Sequence, residues 1–316
     1  MRIAVLLNPS SGRAAVRRMT KVIKSVFGDS EIHWFNDAAA VQSFLRNSTS
    51  MSTEAEPGAR SSDTYILLLA VGGDGTAHHL VNRVADLGAP LGVIPCGRAN
   101  DFARALNMPL DPFEACVALR SPRLVAVDLI SVNGRFLLTC GGLGLVASAS
   151  ERADGWRRGS LRFLARALGP LCYPAAALLE IIREGESISV STGDSDAFHD
   201  ISSFVVSNQP RFGGRFSVSP RASHIDGEID ICEIPAAGAL RDRAHICLTA
   251  WRGGGMNTVR GVRNHRGRRF VVRTTIPCTF TGDGEPMGRG REFVIEVHPG
   301  RLIAATPVLD RSVQAA

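Results

Sequence analysis

The sequence concentrates groups able to do chemistry in Gly72-Gly73-Asp74-Gly75-Thr76. Glycines let a backbone come close to a phosphate and leave N–H groups pointing at it. The aspartate adds a hard oxygen donor and the threonine a hydroxyl. Two further clusters, Cys96-Gly97-Arg98-Ala99-Asn100-Asp101-Phe102-Ala103-Arg104 and Asn8-Pro9-Ser10-Ser11-Gly12-Arg13, also mix small and polar residues. Thr281-Gly282-Asp283-Gly284-Glu285 sets two carboxylates on one glycine turn, where each can tune the other and approach a substrate proton. Phosphoryl transfer needs a held triphosphate, Mg²⁺ between its oxygens and a base for the attacking hydroxyl. These clusters contain a part for each. Taken singly, every one of them also reads as an ordinary turn or cap.

Periodicity outlines the elements that must position these groups. Tyr65 to Val71 is an unbroken apolar run leading into glycines, which suits a strand buried on both faces of a parallel sheet. After Thr76 the period changes, and Leu80, Val81, Val84 and Leu87 fall on one helical face. Leu91–Pro95 and Ile3–Leu7 read as two more strands, each ending in one of the clusters, as at the C-terminal edge of an open α/β sheet. Val16–Val26 reads as a basic amphipathic helix, Ile32–Phe35 as a strand and Ala38–Leu45 as a helix. Ser48–Ser62 is polar and aperiodic, the pattern of a mobile surface loop. His78 and His79 are adjacent on a helix and face different ways, which argues against a metal pair.

From Val125 the character shifts. Val125–Val132, the turn Asn133-Gly134 and Arg135–Thr139 form a hairpin signal. Ile188–Val190, Phe204–Val206, Ile229–Ile231, Phe270–Val272 and Phe293–Val297 are strand-like, so this half reads as β-rich. Two helical insertions interrupt it. In Trp156–Leu168, continued by Tyr173–Ile182, the residues Arg157, Arg158, Arg162 and Arg166 accompany Trp156, Leu161, Phe163, Leu164 and Leu168. That segment reads either as a core-covering helix with a solvated basic face or as a surface for anionic membrane. The other insertion is Arg241–Trp251.

A chain of 316 residues has room for two domains and a sizeable core. The net charge of +6 is not gathered into a dense Lys/Arg block, and there are only two tyrosines, which argues against nucleic-acid recognition by stacking. The seven cysteines include no Cys-x-x-Cys pair and read as free thiols in a reducing compartment. Ile3–Leu7 is too short for a signal peptide, and no stretch has the ~20 apolar residues of a membrane span. The expectation is a cytoplasmic protein that meets any lipid at the cytoplasmic surface of a membrane.

At these residues the chain resembles the diacylglycerol kinase catalytic family, which includes soluble bacterial lipid kinases, sphingosine kinases and ceramide kinases. Asn8-Pro9-x-Ser11-Gly12, Gly72-Gly73-Asp74-Gly75-Thr76 and Asn100-Asp101-Phe102-Ala103-Arg104 match its signatures in order and spacing. Asp226-Gly227-x-x-Asp230, Asp283-Gly284-Glu285 and the closing Val297–Pro307 extend the resemblance over nearly the whole chain. It implies an α/β nucleotide-binding domain, Rossmann-like and NAD kinase-like, over 1–124. A mainly antiparallel β-sandwich for lipid follows over 125–302, and 303–316 return to the first domain. It implies an ATP-dependent lipid kinase. Nucleotide would meet Asn8, Pro9, Ser11, Gly12, Gly72, Gly73, Asp74, Gly75, Thr76, Arg98 and Asn100. Asp74, Asp101 and Asp128 would form an aspartate–water–Mg²⁺ network. A structural cation would take the Asp226 carboxylate and the backbone carbonyls of Ser223 and Glu228. The proton acceptor would be Asp283 or Glu285, and diacylglycerol, ceramide and sphingoid acceptors all remain open. The implied partners are a membrane lipid and an anionic membrane, with peripheral association, no nucleic acid and a homodimer left open.

Two alternatives stand beside this reading. An NAD kinase shares the glycine-aspartate turn, but the Asn-Glu signature expected of one is not seen. A catalytically weak lipid-binding or regulatory member is suggested by Arg98, where the family pattern has threonine, and by Phe35-Asn36-Asp37 in place of another threonine. A guanidinium at 98 can grip phosphate or fill the nucleotide pocket.

Overall fold

The computed structural model describes residues 2–7, 13–28, 30–50, 66–159, 161–169, 172–182, 187–193, 197–236, 239–253, 256 and 259–308. The chain divides into two compact units, residues 1–127 with 300–316, and residues 128–299. Sequence places the change after 124 and the return at 303. The difference arises because the strands Arg123–Val132 and Glu285–Thr306 each run through a unit boundary, so the onset of strand character does not mark where one core ends.

In the first unit, β1 (Arg2–Leu7), α1 (Arg13–Val26), β2 (Glu31–Phe35), α2 (Ala38–Ser50), β3 (Ile66–Gly72), α3 (Asp74–Val84), β4 (Leu91–Pro95), α4 (Asp101–Ala105) and α5 (Pro112–Ala118) precede β5 (Arg123–Val132). The strands lie in the order β4-β3-β1-β2, all parallel. Ala304 of the returning chain pairs in parallel with Leu91 on β4. Leu67, Leu68 and Leu69 are fully buried, as befits a central parallel strand. Helix α3 buries Leu80, Val81 and Val84 of the face read from sequence, together with Ala77, whereas Leu87 lies beyond the helix in a 3₁₀ turn and is half-buried. Ser48–Ser50, expected in a loop, belong to α2, and the rest of that expected loop up to Ser62 lies outside the described residues.

In the second unit the chain runs β6 (Arg135–Leu137), β7 (Cys140–Gly144), α6 (Leu145–Arg158), α7 (Arg162–Leu168), α8 (Cys172–Ile182), β8 (Ile188–Thr192), β9 (His199–Ser207), β10 (Ile229–Pro235), α9 (Leu240–Trp251), β11 (Arg263–Gly267), β12 (Arg269–Gly282) and β13 (Glu285–Thr306). Neighbours pair antiparallel in the order β11-β10-β9-β7-β12-β13, and β8 bridges β9 and β12. Asn133 and Gly134, both at positive φ, turn β5 into β6 as the hairpin signal requires. The core joins Phe204, Phe280 and Phe293 to residues such as Ile130, Ile231 and Ile295. The single basic helix read from Trp156 to Leu168 is instead two, since Trp156 falls in α6 and α7 begins at Arg162.

All seven cysteines are free. Burial pushes the Cys116 and Cys232 thiols up to about 12, so both stay protonated.

One buried carboxylate braces the second unit's sheet. Glu233 on β10 is 1% exposed. Thr192 Oγ1 donates to its Oε1 at 2.6 Å, His199 Nε2 lies 2.8 Å from Oε2, and His265 Nε2 lies 3.3 Å from Oε1. Burial alone would raise its pKa, but His265, Thr192 and His199 outweigh it and hold the carboxyl down from 4.5 to about 2. The ionised form is therefore favoured in the fold. Its contribution is fully present above about 4.5 and is lost as pH falls towards about 2. In Glu233→Gln this acid limb should flatten, and stability near neutrality should drop by about 1–3 kcal/mol as the donors around it lose their carboxylate. Denaturant unfolding as a function of pH measures both, and an acid limb identical to wild type would contradict the assignment.

Candidate active site

In the first unit β1 stands between β2 and β3, so the chain leaves β1 to one side and returns on the other. Open α/β sheets bind ligands at the C-terminal ends of strands flanking such a switch. Gly72 ends β3 there. Asn8, Pro9, Ser11 and Gly12 follow β1 directly and lie outside the described residues.

Gly73 is extended and starts α3, and its carbonyl accepts the N–H groups of Thr76 at 3.0 Å and Ala77 at 3.3 Å. Cys96 N–H donates to Gly72 O at 2.9 Å, which draws the next turn alongside. The two turns then touch backbone to backbone. A Cβ on Gly97 would lie 2.5 Å from Gly73 Cα, and one on Gly73 would lie 3.1 Å from Gly97 Cα. Asp74 opens α3, and its Oδ1 accepts the Phe102 N–H at 3.0 Å, tying the start of α3 to the start of α4. Asp101, mostly buried, precedes Phe102, so the two carboxylates stand on neighbouring turns. Two hard oxygen donors beside uncapped backbone N–H groups suit Mg²⁺ and phosphate.

Asn100, expected to contact nucleotide, bonds within its own turn. It sits at φ 50°, its Oδ1 accepts Gly97 N–H at 2.9 Å and its Nδ2 donates to Gly97 O at 3.1 Å. The amide closes the turn, the local bonding that lets asparagine hold a left-handed conformation. Arg104 Nε donates to Ala99 O at 2.9 Å and braces the same turn. No sequence signal distinguishes that role from a surface arginine. Arg98 is exposed on the turn, and among the described residues its guanidinium has no hydrogen-bond or ion-pair partner.

In the second unit Asp283 and Gly284 form the two-residue turn between β12 and β13, at φ 54° and 81°. Both values are positive, as this turn type demands. Asp283 Oδ1 accepts from Thr139 N–H at 2.8 Å and Thr139 Oγ1 at 2.7 Å, and Oδ2 accepts from Leu138 N–H at 2.9 Å. Its own N–H donates to Cys140 O at 2.9 Å. The carboxylate is thus engaged at three points by the β6–β7 connection. Glu285 is half-buried, and among the described residues its carboxylate has no hydrogen-bond or ion-pair partner.

Asp128 opens the second unit and is buried. Its N–H donates to His224 O at 2.8 Å, and its Oδ2 accepts Gly227 N–H at 2.7 Å. The loop it joins contains Ser223, Asp226 and Glu228. The donor set there does not fit the expected structural cation. Asp226 Oδ1 accepts Glu228 N–H at 3.0 Å, and Oδ2 pairs with Arg266 Nη2. Among the described residues no group of three or more His, Cys, Asp or Glu is arranged to hold a metal ion.

Helices α6, α8 and α9 line, with β9 and β10, a partly open cavity of about 110 Å³. Leu145, Val146, Ala177, Val205, Phe216 and Ile246 give it an apolar wall. Glu180 and Arg243 are its charged members, and Glu180 is paired with Arg152. The side chains of Arg157, Arg158 and Arg166 lie outside the described residues, whereas Leu161, Arg162 and Phe163 are exposed, with Arg162 over the Phe163 ring. Among the described residues no helix is long and apolar enough to cross a membrane.

This α/β unit with phosphate-suited turns, followed by a β-rich unit, has clear relatives. Residues 2–132 match the diacylglycerol kinase catalytic domain, and 142–305 match the YegS C-terminal NAD kinase β-sandwich-like domain. The chain belongs to this lipid kinase family. A protein of Pseudomonas savastanoi pv. phaseolicola named "Probable lipid kinase YegS-like" is 30% identical over 266 residues, 78% of each chain. A protein of Staphylococcus haemolyticus named "Putative lipid kinase SH2167" is 33% identical over 159 residues, but the match spans only 49% of this chain and 48% of that one. A crystal structure described as a diacylglycerol kinase from Bacillus anthracis str. Sterne superimposes with a TM-score of 0.66 at 17% identity, covering 99% of this chain and 98% of that one. That likeness is one of fold.

The Gly73–Gly97 contact yields a direct test. A methyl group at 97 meets backbone, which cannot move aside as a side-chain tip can, so Gly97→Ala should cost about 1–3 kcal/mol. It should also splay the two turns and weaken nucleotide binding at least several-fold. Unfolding midpoints and ATP titration read the two effects, and a variant with wild-type values for both would show that the contact is not limiting.

Proposed function

We propose that this protein is a Mg²⁺-dependent lipid kinase that transfers the γ-phosphoryl group of ATP to a lipid hydroxyl. The observation that carries the lipid half is the apolar cavity of about 110 Å³ inside the second unit. Each methylene moved there from water gains about 0.8 kcal/mol, enough for a few buried groups to hold an acyl chain.

The first unit serves as a Rossmann-like nucleotide unit. Backbone N–H groups at the start of α3 bind phosphate, with Thr76 as a further donor. Asn100 and Arg104 hold the neighbouring turn so that the Gly73–Gly97 contact persists. Asp74 and Asp101, on neighbouring turns, would hold Mg²⁺, which supplies charge neutralisation to the transferring group when bound, and the family resemblance makes Asp128 a further acidic group of the kinase. Glu285 is the general base, because its carboxylate is not committed elsewhere among the described residues, and Asp283 positions it by fixing the turn. The exposed Leu161 and Phe163 beside Arg162 support peripheral contact with an anionic membrane surface.

Two arms test this reading. Incubation with labelled ATP and a total lipid extract should give a labelled lipid that disappears without divalent cation. Transfer to NAD instead would favour the nucleotide-kinase alternative, and no transfer would favour a lipid-binding role. Glu285→Gln should lower turnover ~10²–10⁴-fold with an unchanged unfolding midpoint. Asp283→Asn should also lower the midpoint, since an amide NH₂ must then face the N–H of Leu138 or Thr139, at about 1–3 kcal/mol. Near-normal turnover in Glu285→Gln would remove it as the base.

A further inference from the structure

The Asp226 loop gathers negative charge. Asp226, Glu228 and Asp230 lie within five residues, and β11 runs antiparallel to β10 with Arg266 directly opposite Asp230. We propose that Arg266 is the built-in cation of this loop, taking the place of a divalent ion, and that through the loop it positions Asp128.

Its guanidinium reaches all three carboxylates. Nη2 pairs with Asp226 Oδ2, Nε lies 2.7 Å from Glu228 Oε2, and Nε lies 3.8 Å from Asp230 Oδ2. With Asp226 Oδ1 already accepting Glu228 N–H, both Asp226 oxygens are engaged. A divalent ion would have to displace a fixed positive charge whose planar fork matches carboxylate geometry. The loop that this network draws together holds Asp128 at two points, by Gly227 N–H to Oδ2 and by His224 O from the Asp128 N–H. Gly227 is at φ 72°, a left-handed conformation that glycine adopts readily and that lets its N–H face Asp128. Without Arg266, three carboxylates would repel one another at the point that orients Asp128, and a divalent ion would then be the natural relief.

The cation assignment stands by itself, whereas the role of Asp128 rests on the kinase reading above. The test uses the full chain, gel-filtered without nucleotide. Wild type should carry no stoichiometric Ca²⁺ or Mg²⁺ by elemental analysis, and EDTA should leave its unfolding midpoint unmoved. Arg266→Gln should unfold several degrees lower in EDTA and recover in millimolar Ca²⁺ or Mg²⁺, whereas Arg266→Lys should keep most of the midpoint without metal. Bound metal in wild type, or a midpoint that falls with EDTA, would overturn the proposal. If Arg266→Gln does not fold, the wild-type and Arg266→Lys arms still decide it. In lipid phosphorylation, Arg266→Gln should lose turnover several-fold with KM for ATP unchanged, and Arg266→Lys should restore it. Unchanged turnover in Arg266→Gln would remove the positioning role alone. Absence of activity in wild type would instead count against the kinase reading and leave the metal assays to judge the cation.

Discussion

The first unit's site depends on the approach of two backbones at Gly73 and Gly97. No side chain separates the β3–α3 and β4–α4 turns, so hydrogen bonds too short-ranged to act otherwise can lock them. Cys96 N–H to Gly72 O sets the register of the turns, and Phe102 N–H to Asp74 Oδ1 sets the start of one helix against the other. Asn100 then makes the second turn self-supporting through both ends of its amide. The consequence is a surface of backbone N–H groups with two aspartates at its edge, built from residues with almost no side-chain bulk.

The second unit relies on a different device, in which carboxylates engaged by backbone N–H groups fix connections. Asp283 holds the β12–β13 turn against Leu138 and Thr139, and Asp128 holds the 224–227 loop. Glu233 does the same with side chains, inside the sheet. A carboxylate removed from water must find donors, and each of these has found them locally. Glu285 is the contrast, a half-buried acid on the same turn as Asp283 without a hydrogen-bond or ion-pair partner for its carboxylate among the described residues. The turn thus sets an acid engaged by backbone two residues from one without a hydrogen-bond or ion-pair partner among the described residues.

Charge compensation also separates the two ends of the second unit. Around the apolar cavity, Arg152 pairs with Glu180, one of the two charged residues of the lining. At the Asp226 loop, one guanidinium meets three carboxylates on a rigid strand pair. In both places arginine supplies a charge fixed across the physiological pH range, so neither feature varies as histidine-based pairing would.

Local sequence determined much of this. The leucine run of β3, the α3 face of Leu80, Val81 and Val84, and the Asn133-Gly134 hairpin follow from spacing and turn chemistry over a few residues, and all are present. The phosphate-suited turns were legible for the same reason, because only glycine tolerates such backbone proximity. What side chains do once they leave their own segment was not legible. Asn100 reads as a ligand, and its closing of its own turn was not read, while Asp283 and Glu285 read as equals until Thr139, 144 residues away in sequence, engages one of them. Asp226 reads as a cation ligand until Arg266, 40 residues on, is brought across an antiparallel pair. The unit boundaries moved because β5 and β13 extend across them. In each case the deciding contact is long-range, and only the tertiary structure determines which donors and charges a given carboxylate or amide meets.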